Sequence, residues 1–206
     1  SPSFAPTSKT GSNDMRPPSP TLYSRWVIRR LILLTLIFTI AAAGCGGATP
    51  QLRHADTVPD DLRALADEAW LDFLDAIPVR LHCLSEPTLS AAWELDTRAE
   101  YQPDTETLLV RVPGTPATLR SELLHEFAHH VEFTCFDHGL LRPDFLAAQG
   151  FRTDAPWFEG DTWETTPSEQ YAEAMVELVE GRRAYRGGIQ LTDEAIAIVR
   201  EWGQGP

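Results

Sequence analysis

Apolar positions recur along this chain with two periods. Over residues 60–76, Leu62, Leu65, Ala69, Phe73 and Ile77 return every three or four positions, while Asp61, Arg63, Asp67, Glu68 and Asp72 fall on the other side. That spacing predicts an amphipathic helix, stopped by Pro78. Residues 117–133 contain no Gly or Pro and carry a second stripe, Leu119, Leu123, Leu124, Phe127 and Val131. Thr115 stands as N-cap and Pro116 fits the first helical position. A third helix is predicted from Pro167 to about Glu180, ending near Gly181. A fourth covers residues 192–202, with Ile196, Val199 and Trp202 along one side, after a flexible Gly187-Gly188. Between the first two helices the runs are short. Residues 79–84, 92–96 with Tyr101, and 107–112 read as strands, the last reached through the turn Gln102-Pro103-Asp104. The expected class is α+β: a small mixed or antiparallel sheet packed with helices. Residues 136–165 hold Pro143, Gly150, Pro156 and Gly160 among Phe145, Phe151, Trp157, Phe158 and Trp163. They read as a long loop that walls a cleft or packs as a satellite core.

The second helix carries the chemistry. His125-Glu126-Phe127-Ala128-His129 is H-E-x-x-H, and a four-residue step places both imidazoles on one helix face, one turn apart. Two such nitrogens can hold one zinc ion. Glu126, beside the first of them, can take a proton from water acidified by the metal and pass it to a leaving amine. A buried helix whose histidines only pack is the plain alternative.

Zinc needs a further protein ligand. Pro167-Ser168-Glu169-Gln170-Tyr171-Ala172-Glu173 offers two acids one turn apart. Together with H-E-x-x-H this resembles the gluzincin type of zinc peptidase, a zincin subclass whose downstream helix carries E-x-x-x-D or a near relative. The resemblance covers the two metal-binding segments and the preceding strand, about a third of the chain. It implies Glu169 as third ligand, Glu173 as hydrogen-bond partner of a ligand histidine, and Zn2+ as cofactor. It also implies an edge strand that pairs with extended substrate, a role that 108–112 could fill, although an ordinary core strand reads the same. Such enzymes usually steady the tetrahedral oxyanion with a Tyr or His; Tyr171, Tyr185 and His138 are candidates. Other readings stay open at Glu169. Thr166-Pro167-Ser168-Glu169 is also a capping box, and Asp161, Glu164 and Glu177 are nearby acids. His130 is rotated about 100 degrees from His129, and His138 sits in a predicted turn. No third histidine follows at H-E-x-x-H-x-x-G-x-x-H spacing, which excludes the metzincin subclass; residues 132–135 are Glu-Phe-Thr-Cys.

The beginning of the chain reads differently. Residues 1–14 are small and polar and should be disordered. From Met15, the likeness is to an export signal: Arg16, Arg25, Arg29 and Arg30, then apolar residues 31–43, then small ones. Ala42-Ala43-Gly44-Cys45 resembles a bacterial lipobox, with Ala42 where Leu is usual, which would make Cys45 the lipidated first residue of the mature chain. An ordinary cleaved signal or an uncleaved anchor is the competing account. The expected organisation is therefore extension 1–14, lipoprotein signal 15–45, tether 46–57 and zincin-like domain 58–206. The lipid anchor would hold the chain in the cell envelope, and Gly46 after the cysteine points to the outer membrane if the source is Gram-negative.

Five of 17 Lys/Arg and one of 30 Asp/Glu precede Cys45, leaving 12 against 29, a net charge of −17. That surface excludes nucleic acid as a partner. With Cys45 assigned to lipid, Cys83 and Cys135 form an even pair and predict one disulfide in an oxidising compartment. Cys135 lies six residues past His129 and points away from it on a continuing helix, which argues against metal ligation. The expected protein is a monomeric, membrane-anchored zinc metallopeptidase acting on peptides or proteins. Its rival is a non-catalytic lipoprotein that keeps the helix and works as a binding or envelope assembly module.

Overall fold

The computed structural model describes residues 49–181 and 188–205. The readings for residues 1–45, including Cys45, and for Tyr185 lie outside them. The described residues form a mixed α+β structure. In chain order the elements are β1 (Arg53–His54), α1 (Asp60–Ala76), a 3-10 helix (Pro78–Cys83), β2 (Thr88–Ala92), β3 (Ala99–Gln102), β4 (Thr107–Arg111), α2 (Pro116–Thr134), α3 (His138–Ala148), a 3-10 turn (Trp163–Thr165), α4 (Pro167–Glu180) and α5 (Asp193–Gln204). Among the described residues no helix is long and apolar enough to cross a membrane.

The sheet order is β1-β2-β4-β3. β1 and β4 run parallel to β2, and β3 returns antiparallel to β4 through a tight turn. Leu89, Ala91, Ala99, Tyr101, Leu108 and Val110 alternate onto one buried face, as period-two strands require. Against that face lies α2, which also packs on α1 and α4. Phe73, Leu123, Leu124, Phe127 and Met175 are fully enclosed between these layers. The helix that carries H-E-x-x-H is thus the hub of the core, which fixes its roll about its own axis.

Several elements depart from the sequence reading. Residues 79–84 are a 3-10 helix with no buried residue rather than a strand; Cys83 is instead bonded to Cys135 at the end of α2. The second strand lies at 88–92, earlier than the expected 92–96. Arg53 and His54, placed in the tether, pair with β2, and Trp70 donates to the Pro50 carbonyl at 2.8 Å. Part of the long loop is helical: α3 buries His138, Leu141, Phe145 and Leu146 despite Pro143 inside it. Helices α1, α2, α4 and α5 fall within two residues of their expected bounds, and Gly181 (φ 77°) ends α4 in the left-handed region.

His138 is fully buried amid the rings of Trp157, Tyr171 and Trp202, with Tyr171 nearest at 4.5 Å between centroids. Arg142 Nε donates to its Nδ1 at 3.3 Å. Burial, reinforced by the Arg142 charge, pushes the His138 pKa down to about 3. The folded chain therefore holds fewer protons than the unfolded one, whose histidine titrates near 6.5. Stability from this group is complete above pH 6.5 and declines as the pH falls toward 3, with a slope of up to about 1.4 kcal/mol per unit. Denaturant melts between pH 7 and 4 should show that slope in the parent chain. A His138→Phe variant should reduce it, leaving the part that His130 supplies, whose pKa burial lowers to about 4; an unchanged slope would assign it to other groups.

Candidate metal centre

Helix α2 begins where Thr115 accepts a hydrogen bond from the Thr118 amide, so the H-E-x-x-H turn sits mid-helix, clear of frayed ends. Helix α4 lies alongside and brings Glu169 and Glu173 to the same place. His125 Nε2 lies 2.9 Å from Glu169 Oε2, 3.1 Å from His129 Nε2, and His129 Nε2 lies 3.6 Å from the same Glu169 oxygen. These three separations bracket the roughly 3.3 Å between vertices of a tetrahedron with zinc-ligand bonds of about 2.0–2.1 Å. The capping-box alternative for Glu169 is not made. The Thr166 side chain does not cap α4; its hydroxyl donates to the Thr162 carbonyl at 2.9 Å.

The opposite edges of the rings decide what the converging atoms present. His125 Nδ1 donates to Glu173 Oε1 at 3.1 Å, and His129 Nδ1 donates to Glu132 Oε1 at 2.7 Å. With each Nδ1 carrying its hydrogen, the convergence of both Nε2 atoms on a carboxylate oxygen calls for positive charge between them, supplied either by protons on the two imidazoles or by a bound cation. Four carboxylates (Glu126, Glu132, Glu169, Glu173) and two imidazoles share the patch, so formal charge also calls for a cation. The donor set, two nitrogens and one oxygen, fits zinc.

The ionisation of the cluster follows the same geometry. Burial alone would lower the His129 pKa, but the Glu132 and Glu169 carboxylates reverse this and raise it to about 9. At His125 burial is likewise outweighed by Glu169 and Glu173. Burial works against the Glu169 carboxylate, yet the two imidazoles hold its pKa below the ordinary range. Glu126 behaves differently. It is 4% exposed, lines the cleft, and burial raises its pKa above the usual value despite the nearby imidazoles.

Glu132 was not identified from sequence. Its side chain is completely buried, its Oε1 takes the His129 hydrogen and its Oε2 accepts from Trp157 Nε1 at 2.8 Å. The available signal was its place three residues after His129, where helical neighbours meet. Two donors need two acceptors. An amide at this position can satisfy only one of them, so Glu132→Gln should weaken zinc binding by about 10–100-fold. Competition with a chromophoric chelator measures this, and circular dichroism checks that the helices persist.

The remaining sequence candidates lie elsewhere. His138 and Tyr171 are fully buried against each other, and neither lines the cleft, so neither is placed to touch a substrate there. The aromatic core, not a predicted turn, determines the position of His138. His130 faces away, its Nδ1 3.0 Å from Tyr101 Oη and its Nε2 3.3 Å from the Ser85 carbonyl. Cys135 is bonded to Cys83. Asp161, Glu164 and Glu177 do not join the three converging donors.

The three donors open onto a cleft of about 960 Å³ that runs along α2 from Ala117 to Phe133. Its far wall is β3, one of the two edge strands of the sheet. Of the two readings left open for residues 108–112, the core strand holds: β4 pairs with β2 on one side and β3 on the other. Trp163, reaching in from the turn before α4, stacks at 6.0 Å and 25° over the His125 ring. Compared with protein-family models, curated proteins and solved structures, the chain matches none. The geometry of the cleft therefore carries the functional reading alone.

Proposed function

We propose that this chain is a zinc-dependent peptidase of the zincin type. The observation that carries the reading is the convergence of His125 Nε2, His129 Nε2 and Glu169 Oε2 within a cleft that Glu126 also lines. His125, His129 and Glu169 would hold the ion. When bound, zinc supplies Lewis acidity that polarises a carbonyl and makes water a better nucleophile. Glu126 then accepts the proton of the attacking water and delivers it to the departing amine, a task suited to a carboxylate whose pKa burial has raised. Glu173 and Glu132 hold the two imidazoles in the tautomer that leaves Nε2 free.

The substrate is an extended peptide. Among the described residues β3 has one edge with no strand partner and lines the same cleft as the three donors, and main-chain pairing there would lay a peptide along it. Lipid attachment at Cys45 would tether the enzyme to the cell envelope, a reading supported by the residues around that cysteine and tested by the mass of the mature N-terminus. The central experiment uses the purified full chain. Metal analysis should find one zinc per chain, and a mixed peptide library should be cleaved by the zinc form and spared after chelation. Zinc bound without any cleavage would leave a metal-binding module in place of an enzyme.

A further inference from the structure

Beyond its three donors, the cleft ends in aromatic rings that the peptidase chemistry does not use. His125, His129 and Phe133 stand at i, i+4 and i+8 on α2, so Phe133 continues the ligand stripe by one more turn. Its ring stacks on Phe158 at 5.1 Å and 17°, and Tyr101 of β3 lies 5.8 Å away on the same ring. The Arg142 guanidinium sits 5.2 Å over Phe158 and 5.0 Å over Trp157. A strand, a helix and the segment before α4 thus build one ledge, and its partners hold each ring in place. Phe133 and Phe158 nevertheless remain 48% exposed and line the cleft. Large apolar surface stacked on ring partners yet left exposed in a cleft is a feature of ligand sites.

We propose that the Phe133–Phe158 ledge is a specificity subsite that takes an aromatic or large aliphatic side chain of the peptide substrate. This deepens the peptidase reading and rests on it for the identity of the occupant. The register follows from element geometry. Phe133 lies about 6 Å along α2 beyond His129, and an extended chain advances about 3.3 Å per residue. The selected side chain is therefore about two residues from the bond that is cut. The opposite end of the cleft, near Ala117, Thr118 and Ser121, is lined by small and polar residues and offers no such ledge. Preference for a bulky apolar residue falls on one side of the scissile bond only.

Binding, measured apart from turnover, tests this. Full-length Glu126→Gln chain loaded with zinc is titrated with alanine-serine hexapeptides in which one Phe is moved through each position. One register should bind roughly tenfold or more tighter than the Phe-free peptide, the gain expected for burying an aromatic side chain. A Phe133→Ser/Phe158→Ser version should lose that gain while retaining zinc content and helical dichroism. Equal affinity for all registers, absence of measurable binding, or a Phe preference that survives the double substitution would each overturn the proposal. The wild-type chain separates the two failures. If it cleaves peptides without this preference, the ledge falls and the peptidase stands. If it cleaves none while Phe peptides still bind through Phe133 and Phe158, the subsite stands and catalysis falls.

Discussion

Glu126→Gln should leave zinc content equal to that of the parent chain while peptide hydrolysis falls by a factor on the order of 10²–10⁴, the usual contribution of a positioned proton-transfer group. The exchange preserves size and polarity but removes the ability to take up a proton. Glu126 is not one of the three converging donors, so metal affinity should not follow activity downward. Its burial raises its pKa despite the two neighbouring imidazoles, which describes a carboxylate enclosed at the cleft wall. Glu126→Asp makes a useful second variant, because it keeps the proton acceptor and withdraws it by one methylene. Activity between that of parent and Gln forms would tie the loss to proton transfer. Hydrolysis retained in Glu126→Gln would remove this residue from the chemistry, and zinc lost together with activity would make it a ligand.

What the sequence made legible and what it hid have separate physical origins. The long helices were readable because apolar period, cap and stop agreed: Thr115 with Pro116 opens α2 and Gly181 closes α4. Local consistency of that kind leaves little for tertiary structure to override. His125 with His129, and Glu169 with Glu173, were each legible as helical pairs, since one turn sets their spacing whatever the rest of the chain does. The Cys83–Cys135 pairing followed from parity alone. The segment Pro78–Cys83 was misread because Val79, Leu81 and the residues between them suggest alternation. In the folded chain that segment is bound by the disulfide and by Arg80, which donates to the Trp202 carbonyl at 2.7 Å and pairs with Asp137. All three restraints come from distant parts of the chain.

Helix α3 was hidden by Gly139 and Pro143, although Leu141 and Phe145 kept helical spacing. Burial of both outweighs the amide that Pro143 cannot donate. Whether 108–112 is an edge or a core strand stayed open in the sequence for a topological reason. β4 has the stronger apolar pattern, and that pattern marks a strand covered on both flanks; the weaker β3, with Glu100 exposed, is the one left open beside the cleft. Glu132 was hidden for a different reason. A glutamate on a helix is ordinarily solvated, and its burial depends on Trp157 from a segment 25 residues away. Recognition of the donor set is therefore largely local, whereas the shell that orients it is built by tertiary contact.

Glu169→Ala should abolish the stabilisation that zinc gives. A ligand bound only to the folded state at about 100 times its dissociation constant stabilises by roughly 2.7 kcal/mol. For a chain of this size that corresponds to a rise in Tm of roughly 5–10 °C over the chelator-treated form. Without Glu169 only two imidazole nitrogens remain, and affinity should fall by more than the 10–100-fold that loss of an outer hydrogen-bond partner costs. At the same zinc concentration the rise should then vanish. The chelator-treated forms offer the internal control. Thr166 makes no capping bond with α4, so Glu169 has no share in a cap; its carboxylate is held by the two histidines. Substitution should therefore leave the metal-free Tm within a few degrees of the parent, the range expected for a change of about 1 kcal/mol in a chain this long. Scanning fluorimetry with and without zinc, together with metal content, reads both quantities. A zinc-dependent rise that persists in Glu169→Ala would show that the two histidines recruit another donor, and a collapse of the metal-free Tm would make Glu169 a structural residue of α4.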